Sequence, residues 1–169
     1  MRIAYDVFCS EFNVPAKNVI LGNGCENIIK NILLGIHTTC LVWSKPAWKF
    51  IDVYCSQLDI TPMCLDFSYN QHNRFAYEPN VMNNNDIFDY YNTYYANNLL
   101  YTSINSSNEQ KSRYSIIDIS YADMQMIYDI MSNFNYNGKR IIVGSFDKLC
   151  GCGIRIGFAI FPNRLSEQI

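Results

Sequence analysis

One lysine, one arginine, one serine and four glycines fall within the run Gly144-Ser145-Phe146-Asp147-Lys148-Leu149-Cys150-Gly151-Cys152-Gly153-Ile154-Arg155-Ile156-Gly157. Those residue types suit a loop that holds a phosphate and presents an amine. Glycine lets backbone N–H groups approach an anion, arginine adds a planar charged fork, and a lysine beside them becomes a nucleophile once desolvated. Taken alone, the loop is equally an ordinary strand-to-strand connection carrying surface charges.

Three other places carry chemistry of a compatible kind. Gly22-Asn23-Gly24-Cys25-Glu26 stands before an apolar helix, so the first N–H groups of that helix, unpaired within it, favour an anion. The plainer reading is a strand-to-helix turn that uses glycine for its dihedrals. Ile116-Ile117-Asp118-Ile119-Ser120-Tyr121 ends a very apolar strand with a carboxylate, which burial obliges to find a partner. That partner is either a backbone N–H at the start of the next helix or a protonated ring nitrogen of a ligand, and Tyr121 can direct its hydroxyl to the same pocket. Trp48, two residues after Pro46, is either a face on which a flat ring stacks or a core side chain.

The elements that must position these residues alternate. Val19 to Leu21 reads as a strand, followed by a helix with Ile28, Ile29, Ile32, Leu33 and Ile36 at helical spacing. Leu41 to Trp43 is a strand, the stretch from Pro46 through Tyr54 a helix, and Ile60 to Leu65 a strand. The Asn- and Tyr-rich segment from Asp66 to Asn98 reads as partly irregular, with a helix around Ile87 to Tyr95. Leu99 to Ile104 and Tyr114 to Ile119 read as strands, Ala122 to Phe134 as a helix with Met124, Ile127, Tyr128 and Met131 on one face. Ile141 to Gly144 and Ile156 to Phe161 complete the set. This predicts an α/β fold of three layers, a mostly parallel sheet with helices on both faces. Ligands of such sheets bind beyond the carboxyl ends of the strands, so Gly22 to Glu26, the loop after Ile104, Asp118 to Tyr121 and Ser145 to Arg155 should share one rim.

Composition bounds the rest. A chain of 169 residues, 49% hydrophobic and 15% aromatic, can build one domain with a substantial core, here taken as residues 1–169. Its formal net charge of −2 gives no electrostatic reason to expect nucleic acid or an anionic membrane as partner. Seven cysteines, an odd number scattered among apolar segments, point to free thiols in a reducing cytoplasm. Cys150 and Cys152 are spaced too closely for a usual structural zinc site, so no metal is expected.

In order along the chain, Asn18-Val19-Ile20-Leu21-Gly22-Asn23-Gly24-Cys25-Glu26, Pro46-Ala47-Trp48, Ile117-Asp118-Ile119-Ser120-Tyr121 and Ser145-Phe146-Asp147-Lys148 through Arg155-Ile156-Gly157 together resemble the fold type I enzymes dependent on pyridoxal 5'-phosphate. Within them the class I and II aminotransferases, and the histidinol-phosphate aminotransferase and threonine-phosphate decarboxylase branch in particular, are the most alike. The resemblance implies that Lys148 forms a Schiff base with the cofactor aldehyde and moves a proton, while Asp118 binds the pyridine nitrogen. It implies that Tyr121 hydrogen-bonds the phenolic oxygen, that Trp48 stacks on the ring, and that Gly24, Cys25, Ser145 and Arg155 hold the phosphate. The asparagine that contacts the phenolic oxygen would follow a strand, with Asn105 and Asn108 as nearest candidates. The substrates so implied are an amino acid or amine and a keto acid, and the assembly a homodimer.

Departures from the pattern accompany the matches. Asp147 stands where most relatives have serine; two like charges about 4 Å apart at an effective dielectric near 20 repel by about 4 kcal/mol, unless Asp147 turns away or pairs with an arginine. The interval from Lys148 to Arg155 is one residue short. Only about a dozen residues separate Ile104 from Ile116, leaving little room for a crossover helix. The usual N-terminal segment and the small C-terminal domain are expected to be absent. These features sustain an alternative, a degenerate, non-catalytic binding or assembly module. A Rossmann-like nucleotide binder is disfavoured, since Asn27 takes the place of the third glycine of a dinucleotide fingerprint.

Overall fold

A computed structural model describes residues 2–35, 40–45, 50–66, 87–92, 114–151 and 153–166. The chain begins with helix α1 (Arg2–Glu11), and a short 3-10 turn over Ala16–Asn18 leads into β1 (Val19–Asn23) and α2 (Gly24–Gly35). β2 (Cys40–Lys45), α3 (Phe50–Gln57) and β3 (Thr61–Asp66) follow, then β4 (Ile87–Asn92) and β5 (Tyr114–Asp118). α4 (Met124–Ser132), β6 (Arg140–Ser145), β7 (Ile156–Ile160) and a last helical turn, α5 (Asn163–Ser166), complete the described elements.

The seven described strands form one sheet in the order β1-β7-β6-β5-β4-β2-β3. β3, β2, β4, β5 and β6 pair in parallel, whereas β7 runs antiparallel to both β6 and β1. β1 therefore points the same way as β5 and β6, and the carboxyl ends of all three lie on the edge where β7 begins. The expected α/β sheet with helices on both faces is the fold of this chain.

Two-residue periodicity explains why both faces are dry. Ile116, Ile141, Val143 and Ala159 face one way and pack with Ile28, Ile29, Ile32 and Leu33 of α2 and Ile51 of α3. Their neighbours Ile117, Ile142, Phe158 and Ile160 face the other way, against Phe8 of α1 and Ile127, Ile130 and Met131 of α4. Strands buried on both sides read as continuous apolar runs, which is what made β5 and β6 recognisable.

Several boundaries and one element differ from expectation. α4 begins at Met124 because Asp123 caps it, its carboxylate accepting from the Met126 N–H at 2.8 Å. Its buried face is Ile127, Ile130 and Met131, while Met124 is exposed. Residues 87–92 are a strand, not part of a helix: β4 is paired on both edges, by β2 and by β5. The span between β4 and β5 is thus residues 93–113, and most of the short interval noted between Ile104 and Ile116 lies outside the described residues. Leu99 to Ile104 lies outside the described residues. Among the described residues, no helix is long and apolar enough to cross a membrane.

Candidate functional site

The rim forms where β7 meets the start of α2. A Cβ placed on Gly157 would lie 2.4 Å from the Gly24 carbonyl carbon and 2.5 Å from the Cys25 nitrogen, so only glycine lets the two backbones touch. Gly157 is level with Gly22 of β1 on one side and with Ser145 of β6 on the other. Gly24 itself has φ +76°, a left-handed conformation that turns the chain from strand into helix. Arg155 also sits in the left-handed region, at φ +50°. That turn lays its guanidinium over Gly24, with Nη2 3.2 Å from where a Cβ would stand. The short interval after Lys148 therefore does not keep Arg155 away from the α2 N-terminus.

The lysine loop is fastened at both ends. The Phe146 N–H donates to the Ile156 carbonyl at 2.9 Å, and the N–H groups of Leu149 and Cys150 return to the Phe146 carbonyl at 3.1 and 2.9 Å. The Phe146 ring lies among Phe8, Phe12 and Phe158, with centroids 6.0, 6.3 and 5.3 Å away. α1 thus braces the residue two positions before Lys148. α1 is in turn tied to α4 by the Tyr128 hydroxyl, which donates to the Glu11 carboxylate. No sequence argument had assigned this helix a part in the site; the signal was Tyr5, Phe8 and Phe12, spaced to share one helical face.

Lys148 is exposed and carries its Nζ 5.4 Å from the centroid of the half-exposed Tyr121 ring, a cation–π contact. Asp118, three residues before Tyr121, is 3% exposed at the carboxyl end of β5. Its Oδ1 accepts from the Ser120 N–H at 2.9 Å and the Ser120 hydroxyl at 2.6 Å. The backbone partner expected from the next helix thus comes earlier, from the turn itself, and Ser120 is a site residue that sequence reasoning had not singled out. Cys25 links this turn to the α2 N-terminus. Burial pushes its thiol pKa up, the carboxylates of Asp118 and Asp147 add to that, and hydrogen bonds involving Ser120 and Glu26 oppose it.

Asp147 does pair with an arginine. Its Oδ2 accepts from Arg155 Nη1 at 3.2 Å, and its own N–H donates to the buried Ser145 hydroxyl at 3.1 Å. The other carboxylate oxygen, Oδ1, is buried with no hydrogen-bond partner among the described residues. Of the nine candidate residues, Gly24, Cys25, Asp118, Tyr121, Ser145, Lys148 and Arg155 lie along one rim. Trp48 and Asn105 lie outside the described residues, as do Asn108 and the loop after Ile104. The strand beside β5 is β4, which ends at Asn92.

The chain matches no family model and no curated protein sequence. It is similar in structure to the L-threonine-O-3-phosphate decarboxylase of Porphyromonas gingivalis, with TM-score 0.73 and 12% identity over 98% of this chain and 51% of that one. An aminotransferase from Mycobacterium tuberculosis gives TM-score 0.73 and 12% identity over 99% and 51%. The histidinol-phosphate aminotransferase of Clostridium acetobutylicum gives 0.66 and 15% over 98% and 51%. The chain spans about half the length of these structures.

Proposed function

We propose that this chain, which has the fold of the fold type I aminotransferases, binds pyridoxal 5'-phosphate through Lys148 and derives from enzymes that pass an amino group between an amino acid or amine and a keto acid. The observation that carries the proposal is the gathering of Lys148, Tyr121 and Asp118 on the rim that also holds the α2 N-terminus and Arg155. The donor set fits the cofactor at its ring end. Asp118 is a buried carboxylate suited to accept from a protonated ring nitrogen, Tyr121 presents a hydroxyl, and Lys148 an amine. At the phosphate end the amides of Gly24 and Cys25, the Ser145 hydroxyl and the Arg155 guanidinium are the matching groups, with Asp147 the one discordant residue.

When bound, the cofactor supplies an electron-withdrawing ring. Lys148 would hold it covalently and carry the proton leaving the substrate α-carbon, and Asp118 would keep the ring nitrogen protonated. Trp48 and Asn105 are assigned to the ring on the resemblance alone. So are the homodimer and the reading of residues 1–169 as one large domain. Free thiols at Cys9, Cys25, Cys55 and Cys150 accord with a cytoplasmic setting.

Titration of the full chain with pyridoxal phosphate should produce visible imine absorbance, and borohydride should fix the cofactor to Lys148. The proposal fails if no imine absorbance develops, or if it survives Lys148→Ala unchanged. A second reading, a non-catalytic binding or assembly module, is favoured by one observation, the Asp147–Arg155 pair. It predicts a folded protein that stays colourless in the same titration.

A further inference from the structure

We infer that the Asp147 carboxylate is a resident competitor for the anion cradle, so that a phosphate group binds only by taking Arg155 away from Asp147. This rests on the reading of the rim as a phosphate site. The guanidinium that lies over Gly24 at the α2 N-terminus is the same one that donates to Asp147 Oδ2 at 3.2 Å. The strongest cation available to an incoming anion is therefore already engaged by an anion of the chain itself.

Asp147 is held in place more firmly than its partner. Its N–H is tied to the buried Ser145 hydroxyl, and the preceding Phe146 ring is packed against Phe8 and Phe158. The Asp147 side chain is 18% exposed and that of Arg155 57%. An ion pair with so exposed an arginine is weak, and Arg155 can exchange partners. The carboxylate stays behind when it does. Its buried Oδ1 lacks any donor among the described residues, and its charge reaches the thiol of Cys25 on the first turn of α2. An acceptor oxygen with no donor repels a second acceptor, so a phosphate beside it meets both a like charge and an unmet hydrogen bond.

The test uses inorganic phosphate at constant ionic strength, titrated into the full chain and followed by amide shifts of Gly24 and Cys25. Asp147→Asn keeps the side-chain shape and removes the charge. It should bind phosphate at least tenfold more tightly than the unaltered chain, and in a chain that already carries Arg155→Met the same change should give a clearly smaller gain. Asp147→Ser provides the second variant should the asparagine disturb folding, which far-UV circular dichroism checks. Equal affinity with and without Asp147, absence of binding in both, or a gain that is undiminished without Arg155 overturns the inference. Inorganic phosphate needs no amine, so the gain should also appear in Asp147→Asn combined with Lys148→Ala. Failure of the competition and failure of cofactor attachment at Lys148 are thereby read separately.

Discussion

A single methyl group at position 157 should push β7 away from the first turn of α2. The Cβ of Gly157→Ala would stand 2.4 Å from the Gly24 carbonyl carbon, 2.5 Å from the Cys25 nitrogen and 2.7 Å from the Gly24 oxygen. Carbon atoms pack best at about 3.5–4.0 Å, so relief requires a shift of roughly 1 Å or more. Overpacking costs about 1–3 kcal/mol when side chains can rearrange. Here the obstructing atoms are backbone, held by α2 on one side and by the β1–β7 pairing on the other. The upper end, about 3 kcal/mol, is the expected loss. For a domain of this size that corresponds to about 6–12 °C in Tm. Gly35→Ala is the control, because a Cβ there meets nothing within 4 Å, and it should change stability by no more than about 1 kcal/mol. Thermal and urea unfolding of both variants, followed by circular dichroism, makes the comparison. A Gly157→Ala protein that loses less than about 1 kcal/mol would refute direct contact between β7 and the α2 N-terminus.

Asp123→Ala removes the cap of α4 and should cost about 0.5–2 kcal/mol, read as a lowered urea midpoint that Asp123→Asn largely restores. Tyr54 donates to Glu26 Oε1 at 2.8 Å, and burial first, then Glu26, pushes its pKa up to about 12 from 10.0. The folded chain thus holds this proton more tightly than the unfolded one. The stability it contributes is complete below about pH 10 and declines as pH rises toward 12; Tyr54→Phe should lessen the fall of unfolding midpoints across that window.

Much of the sheet was legible because it is buried on both sides. Ile116 and Ile117, or Ile141 and Ile142, are apolar in succession since each neighbour enters a different core. β4 was misread for the opposite reason. Its sequence, Ile-Phe-Asp-Tyr-Tyr-Asn, has no clean period, and its strand conformation is decided by pairing with β2 and β5. Asp118, Lys148 and Gly24 were legible by residue type and by their places at element ends. Arg155 beside Gly24 was implied only by the resemblance, because the placement depends on a non-glycine residue held at φ +50°, which residue identity does not announce. The Ser120 bonds to Asp118 belong to turn geometry of the same local kind, and the Phe146 packing to an encounter with α1 across the whole fold.

The pairing of β1 with β7 also sets an order of events in folding. Asn18 and Phe161 are hydrogen-bonded across 143 positions of sequence, and the register from Val19↔Ile160 to Asn23↔Ile156 continues that join. Gly24 arrives with the first strand and Arg155 with the last. Contacts of such separation carry a large loop-closure cost and form slowly. On the ribosome, β1 and α2 are made long before their partner exists, so the N-terminus of α2 must wait, unclosed, until β7 has been synthesised. The rim therefore closes only once both of its distant halves have been made.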